Sequence, residues 1–280
     1  EVAKTARLTE AIRRNQLTVQ PTGDDAAKAQ LSVFMSRAFR RPVHSDEAAR
    51  YYALAKIRLD QGECFEVAMN SAHQAVLCSP HFLFLVEDEP RLNDFELASR
   101  LSYFLWRTSP DAALRELAAE GELSKPDVLR HQTERLVSSP RFEAFITDFL
   151  NHWLNLQEIE STTPDRDLYP EYFVSYHDGR QDGLLHESIV SETRAFMRDL
   201  VTRDLAIEQL VKSPHAFLNQ RLAEHYELPP VKGTELRLVT LPAESVRGGL
   251  LTQASILKVT ANGANTSPVI RGLWILERIL

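Results

Sequence analysis

Glycine is scarce in this sequence, with ten in 280 residues, about half the roughly 7% usual in proteins. Turn-rich β-proteins spend glycine freely, so the shortage, beside abundant Leu, Ala, Glu and Arg, favours helices joined by short loops. Long apolar runs are also missing: no stretch of about 18 apolar residues occurs, so nothing reads as a membrane span. Positive charge is in deficit, 32 Lys and Arg against 39 Asp and Glu. That balance argues against nucleic-acid binding, which needs a basic footprint to displace counterions. The basic clusters Arg13-Arg14 and Arg37, Arg40, Arg41 are short and read as solvated helix faces. No charged-then-apolar leader follows Glu1, so any targeting signal is expected to have been removed or never present.

Cysteine is limited to Cys64 and Cys78. If the stretch between them is one helix, the thiols lie about 21 Å apart at a rise of 1.5 Å per residue, too far for a disulfide. They read as two buried thiols. With no C-x-x-C-H motif the chain has no means of attaching a c-type haem covalently, and no cofactor is expected within it. What is present is ordinary for a folded protein: 44% apolar and 25% charged residues exclude a wholly disordered chain.

Helical periodicity dominates, and the predicted class is all-α: ten or more helices with one small β element. Helices are expected over 24–40, from Ser45 as N-cap, over 63–78, from Asn93 or Asp94 to Trp106, after Asp111, and from Ser124-Lys125-Pro126. The segment from Arg141 through Phe145, Phe149 and Trp153 is the most apolar helix and should be central to the core. Residues 158–181 read as an irregular connection, followed by a long helix over 181–202 and short ones at 205–212 and 217–226. Only 235–241 alternates polar with apolar residues as a strand does. Arg247-Gly248-Gly249 opens another helix, 258–267 is a polar loop, and Pro268 starts an apolar helix that runs to an uncapped end at Leu280, as though cut from something longer. The expected domains are 24–90, 91–232 and 233–280, the first boundary falling at the acidic Glu87-Asp88-Glu89-Pro90.

Familiar catalytic motifs are absent: no G-x-G-x-x-G, P-loop, H-E-x-x-H, G-x-S-x-G or EF-hand occurs. The densest group of potential ligands, His177, Asp178, Asp182, His186 and Glu187, lacks helical two-His spacing and reads as a polar loop with capping acids, so no metal site is assigned. His152, on the apolar helix, reads as a neutral core histidine. Two charges sit more oddly. Glu192 lies three residues after Ile189 and four before Phe196, on or beside a buried stripe. By the same arithmetic Arg100 lies between Leu97 and Phe104. A buried charge must be paired, so Glu192 and Arg100 are expected to face each other, or each to meet another ion.

Several strings together resemble a known set of domains. Phe34-Met35-Ser36-Arg37-Ala38-Phe39-Arg40-Arg41-Pro42-Val43 resembles the opening of one domain of a secreted planctomycete-type family associated with c-type cytochrome modules. Leu97 to Trp106, Glu192-Thr193 and Leu218 to Ala223 resemble the next domain. Arg247 to Ser255 and Thr266 to Gly272 resemble a third. The likeness runs from about residue 30 to the end, in the family's order. It departs at His81 and His152, where the family pattern leads one to expect Arg and Gln, so neither is carried over as a ligand. The domains are of unknown function. The resemblance implies export to the periplasm or cell surface, and a continuation past Leu280 into a linker and a module that bears a C-x-x-C-H haem site.

The leading expectation is therefore a helical non-haem scaffold that docks a haem-bearing module of the same polypeptide, or a redox partner, for electron transfer. A rival is an oxidoreductase whose site is completed by that absent module, with Glu192, Arg100, Arg247 and Arg271 as the polar groups to examine. A deep pocket lined by those residues favours the enzyme; a solid core with exposed apolar patches favours the scaffold. A third reading, carbohydrate or surface-polymer binding, needs exposed platforms such as Tyr169, Tyr172 and Tyr176.

Overall fold

The computed structural model describes residues 23–87, 91–175 and 180–280. Tyr176, His177, Asp178, the Asp88–Pro90 part of the acidic link and the Arg13-Arg14 pair lie outside the described residues. Twelve α-helices, several 3₁₀ turns and two small two-stranded antiparallel sheets make up the described chain, a mainly α-helical protein. It divides into two compact units, 1–136 and 137–280.

In the first unit, α1 (Asp24–Ala38), α2 (Ser45–Asp60) and α3 (Phe65–Leu77) pack around Leu31, Met35, Tyr52 and Met69. Alanines at 27, 48, 55, 68 and 72 face the same core and let the helix backbones approach closely. The N-cap of α2 is His44, one residue before the expected Ser45, and it makes no side-chain cap bond. Arg40 is buried at the end of the one-turn α4 (Pro80–Leu83), where its guanidinium donates to the carbonyls of His81 and Phe84, both at 2.8 Å. A fixed cation is favourable among the carbonyls that a helix end leaves unpaired. Cys64 and Cys78 stand at opposite ends of α3. Cys64 is buried as expected, but Cys78 is exposed because it falls past the last buried turn.

The helix α5 (Asp94–Trp106) begins with a full capping box between Asn93 and Glu96. Ala98, Ser99, Ser102 and Leu105 form its buried face, packed toward α6 (Ala112–Ala119), and α7 (Pro126–Val137) follows. That choice of face overturns the stripe reading of Arg100. Phe104 is 65% exposed, and Arg100 lies outward with it, because the small residues of α5 give the closer packing surface.

In the second unit α8 (Glu143–Trp153) packs on the long α9 (Gly183–Thr202). Ile146 and Leu150 are buried, but Phe149 and His152 are exposed, so α8 is not buried all round and His152 is not a core histidine. The rings of Phe142, Phe145, Phe149 and Trp153 instead stack in a ladder with centroids 5.1–5.4 Å apart. The connection before α9 is less irregular than expected, since β1 (Phe173–Ser175) pairs with β2 (Arg180–Gln181). The strand anticipated at 235–241 exists as β4 (Arg237–Thr240). Its partner is β3 (His215–Leu218), where the sequence had suggested part of a helix. Asn219 ends β3 and caps α10 (Gln220–His225) through Leu222 N. After a 3₁₀ turn at Leu250–Thr252 come α11 (Ala254–Val259) and α12 (Pro268–Arg278).

Candidate functional site

The helix α9 carries a polar seam down its buried face. Ser188, Glu192 and Thr193 are each at most 3% exposed. Thr193 Oγ1 meets Gln253 Oε1 at 2.7 Å and Ser255 Oγ at 2.5 Å, and Asn219 Nδ2 donates to Ser188 Oγ at 2.7 Å. Each hydroxyl and amide is satisfied, so the seam fixes the register of α9 against the segments at 219 and 253–255 without leaving a costly orphan.

Glu192 occupies the middle of that seam. The Tyr226 hydroxyl donates to Glu192 Oε2 at 2.5 Å and accepts from the Ala254 amide at 2.8 Å. The Arg247 guanidinium lies over the Tyr226 ring, 3.8 Å from its centroid. Burial pushes the Glu192 carboxyl up to about 8, against the opposing pull of the Tyr226 hydrogen bond and the Arg247 charge. Burial and the neighbouring carboxylate hold the Tyr226 phenol well above its ordinary range. At neutral pH the group is thus a protonated acid bonded to a phenol.

Arg247 is held by its own turn. Its Nη1 donates to Thr252 O at 3.0 Å, and Gly248 N donates to Thr252 Oγ1 at 2.9 Å. A Cβ on Gly248 would sit 2.5 Å from Ser213 O, and one on Gly249 2.6 Å from Val211 O. Both residues also have positive φ, so only glycine lets this turn lie flat on residues 210–213.

Tyr226 and Arg247 open onto a cavity of about 350 Å³, within the size range of small-molecule sites. Arg271, Lys258, Tyr169 and Tyr172 also line it. Arg271 donates to Thr260 Oγ1 at 3.2 Å and to Thr266 Oγ1 at 2.5 Å. Lys258 Nζ donates to the carbonyls of Ile159 and Thr162 (3.0 Å to the latter), and burial holds its pKa below the ordinary lysine value. Thus three cations line one cavity, and among the described residues none has a carboxylate within ion-pair distance; their partners are carbonyls and hydroxyls. Glu171 is the exposed carboxylate of the lining.

The expected site residues therefore part company. Arg247 and Arg271 line this cavity, and Glu192 stands behind its wall, bonded to Tyr226. Arg100 does not pair with Glu192: it is 58% exposed and forms a two-bond ion pair with Glu87, at 2.5 and 2.6 Å. Tyr226, Lys258 and His225 escaped the sequence reading. The one available hint for Tyr226 was its spacing from Leu222 on an apolar helical face. Tyr172 is buried, with its hydroxyl 2.9 Å from His186 Nδ1, and is no exposed platform; Tyr169 keeps a partly exposed ring. Among the described residues no group of three His, Cys, Asp or Glu could hold a metal ion. The cysteines, at the two ends of one helix and outside any C-x-x-C-H string, do not fit covalent haem attachment.

Three family models match the chain in succession. PSD5, a protein of unknown function (DUF1595), matches residues 26–87. PSD4, a protein of unknown function (DUF1592), matches 92–228, and PSCyt3, a protein of unknown function (DUF1588), matches 247–280. No curated protein and no solved structure matches the chain. Glu192 and Tyr226 lie within the PSD4 match, whereas Arg247, Lys258 and Arg271 lie within the PSCyt3 match, so the cavity is built from both.

Proposed function

For a chain that belongs to the planctomycete-type, cytochrome-c-associated set of families of unknown function, we propose the role of a ligand-binding, non-haem body in an exported protein. Its task is to hold a small organic anion in the cavity of the 137–280 unit. The observation that carries this reading is the convergence of Arg247, Lys258 and Arg271 on one cavity without a carboxylate partner among the described residues. Evolved surfaces pair or solvate their cations, and a walled group of cations that outnumbers its carboxylates is a place where a ligand's charge completes the electrostatics.

Tyr226 and Glu192 give the site a proton at its wall. The Tyr226 proton is held on Glu192 Oε2 in this structure, so it reaches a ligand only when the hydroxyl turns away from Glu192, whose own proton then replaces it. That is the equipment expected of the enzymatic alternative, an oxidoreductase that hands electrons to a haem module outside residues 1–280 or to a redox partner. The docking-scaffold reading draws its support from α12, where Val269, Leu273 and Leu276 are 81%, 54% and 62% exposed.

The test is calorimetric titration of the chain with small carboxylates and with their amides, for the wild type and for Arg247→Met. Saturable binding of carboxylates that Arg247→Met abolishes supports the ligand-binding body. Absence of binding by every anion, with the fold intact, leaves the scaffold.

A further inference from the structure

We infer that the ligand of this cavity is an amphipathic organic acid, a carboxylate on an aromatic or branched apolar body, and that an acidic sugar is excluded by the lining. The inference rests on the anion-binding reading above and specifies its chemistry.

The walls come first. Between the cationic groups the accessible lining is mostly carbon, supplied by Pro164, Ile189, Leu257, Ala261 and the ring of Tyr172. A saccharide carries a hydroxyl on nearly every carbon, and each one brought out of water needs a partner.

The hydrogen-bonding groups of the lining are largely committed to the protein. The Tyr169 hydroxyl donates to Ala264 O at 3.1 Å, the Tyr172 hydroxyl meets His186, and the Tyr226 hydroxyl is spent on Glu192. Lys258 serves two carbonyls that anchor the 159–162 segment. Thr266 Oγ1 already accepts from Arg271. Beside the neutral side chains of Thr162, His225 and Asn265, the charged donors left over are the remaining guanidinium N–H groups, since each guanidinium has five and Arg247 and Arg271 use only one or two on side-chain or carbonyl acceptors. The planar fork of an arginine matches a carboxylate in two parallel bonds.

Charge points the same way. A neutral Glu192 places no negative charge behind Tyr226, and the one carboxylate of the lining, Glu171, is solvent-exposed and outnumbered by Arg247, Lys258 and Arg271. The cavity therefore combines a donor-rich cationic end with a dry wall, the division that an amphipathic acid presents in mirror image.

The experiment is titration calorimetry at pH 7 with trans-cinnamate and octanoate as probes, trans-cinnamamide as neutral isostere and D-glucuronate as acidic sugar, on wild type and Arg271→Gln. Circular dichroism and Tm establish that the variant is folded; if it is not, Arg271→Lys takes its place. At least one of the two apolar acids should bind about tenfold or more tightly than either cinnamamide or glucuronate, since a charge-assisted bond in a shielded site is at stake. Arg271→Gln should remove about that factor for the acid and leave cinnamamide within about twofold. Glucuronate binding as tightly as the apolar acids, or more so, overturns the ligand class while the anion-binding reading survives. Equal affinity for acid and amide overturns the role of the guanidinium groups. Failure of all three anions to bind overturns both readings together.

Discussion

Replacing Glu192 with Gln keeps the shape and the acceptor for Tyr226 but removes the ability to ionise, which isolates the cost of burying this carboxyl. Glu192 is 2% exposed, and its pKa lies at about 8 in the folded chain against an ordinary 4.5. Because the folded value is the higher one, the folded state holds the proton more tightly. The stability contribution is therefore complete below about pH 4.5. It falls as pH rises through the interval up to about 8, and is fully lost above it. At about 1.4 kcal/mol per pH unit, the wild type should lose roughly 3–4 kcal/mol relative to Glu192→Gln between pH 5 and pH 8. The assay is urea denaturation at the two pH values, followed by tryptophan fluorescence in a Trp106→Phe background so that only Trp153 and Trp274 of the 137–280 unit report. A difference between wild type and Gln variant that stays constant within about 1 kcal/mol would refute the reasoning, and would mean that Glu192 is ionised throughout, with Arg247 as its counter-ion. Tyr226→Phe supplies an internal control. The phenol's hydrogen bond lowers the Glu192 pKa, so its loss should move the carboxyl titration upward, as read by carbon NMR of labelled glutamate.

Gly249→Ala should destabilise the 137–280 unit by about 3 kcal/mol or more in denaturant titrations, since it adds a left-handed backbone penalty to a clash with the Val211 carbonyl. Thr193→Val leaves the buried Gln253 and Ser255 groups short of a partner, and should cost about 1–3 kcal/mol by the same measurement. Arg100→Ala breaks only an exposed ion pair with Glu87; it should leave both Tm and anion affinity unchanged, and any loss of binding would contradict the separation of Arg100 from the cavity. Arg247→Met removes a charge that opposes Glu192 protonation, so the Glu192 titration should shift upward while carboxylate binding disappears, again followed by carbon NMR and calorimetry.

Helix positions were legible wherever a cap and an apolar period agreed, as at Asn93, Asp111 and Pro126, because these signals act within one turn. The burial of Glu192 was legible for the same reason: Leu185, Ile189 and Phe196 mark one face of a long helix. Arg100 shows where that reasoning stops. An identical spacing lay on α5, but Ala98, Ser99 and Ser102 offered a closer-packing face, and which of two faces is buried depends on the neighbour that fills it. The β3 segment illustrates the same limit, since a four-residue strand is stabilised by its partner at 237–240 and not by its own period.

The scarcity of glycine, the acidic balance and the periodic apolar residues by themselves determined a helical protein with no membrane-spanning helix among its described residues, because these properties follow from local propensity and solvation. Tertiary structure alone decided the site. Glu192, Tyr226, Arg247 and Arg271 are separated by up to 79 positions in sequence, from 192 to 271, and no local rule brings them together. The glycine turn at 248–249, clamped against residues 210–213, and the polar seam along α9 do so. A charge acquires its meaning from what surrounds it, and that is fixed only when the chain has closed on itself.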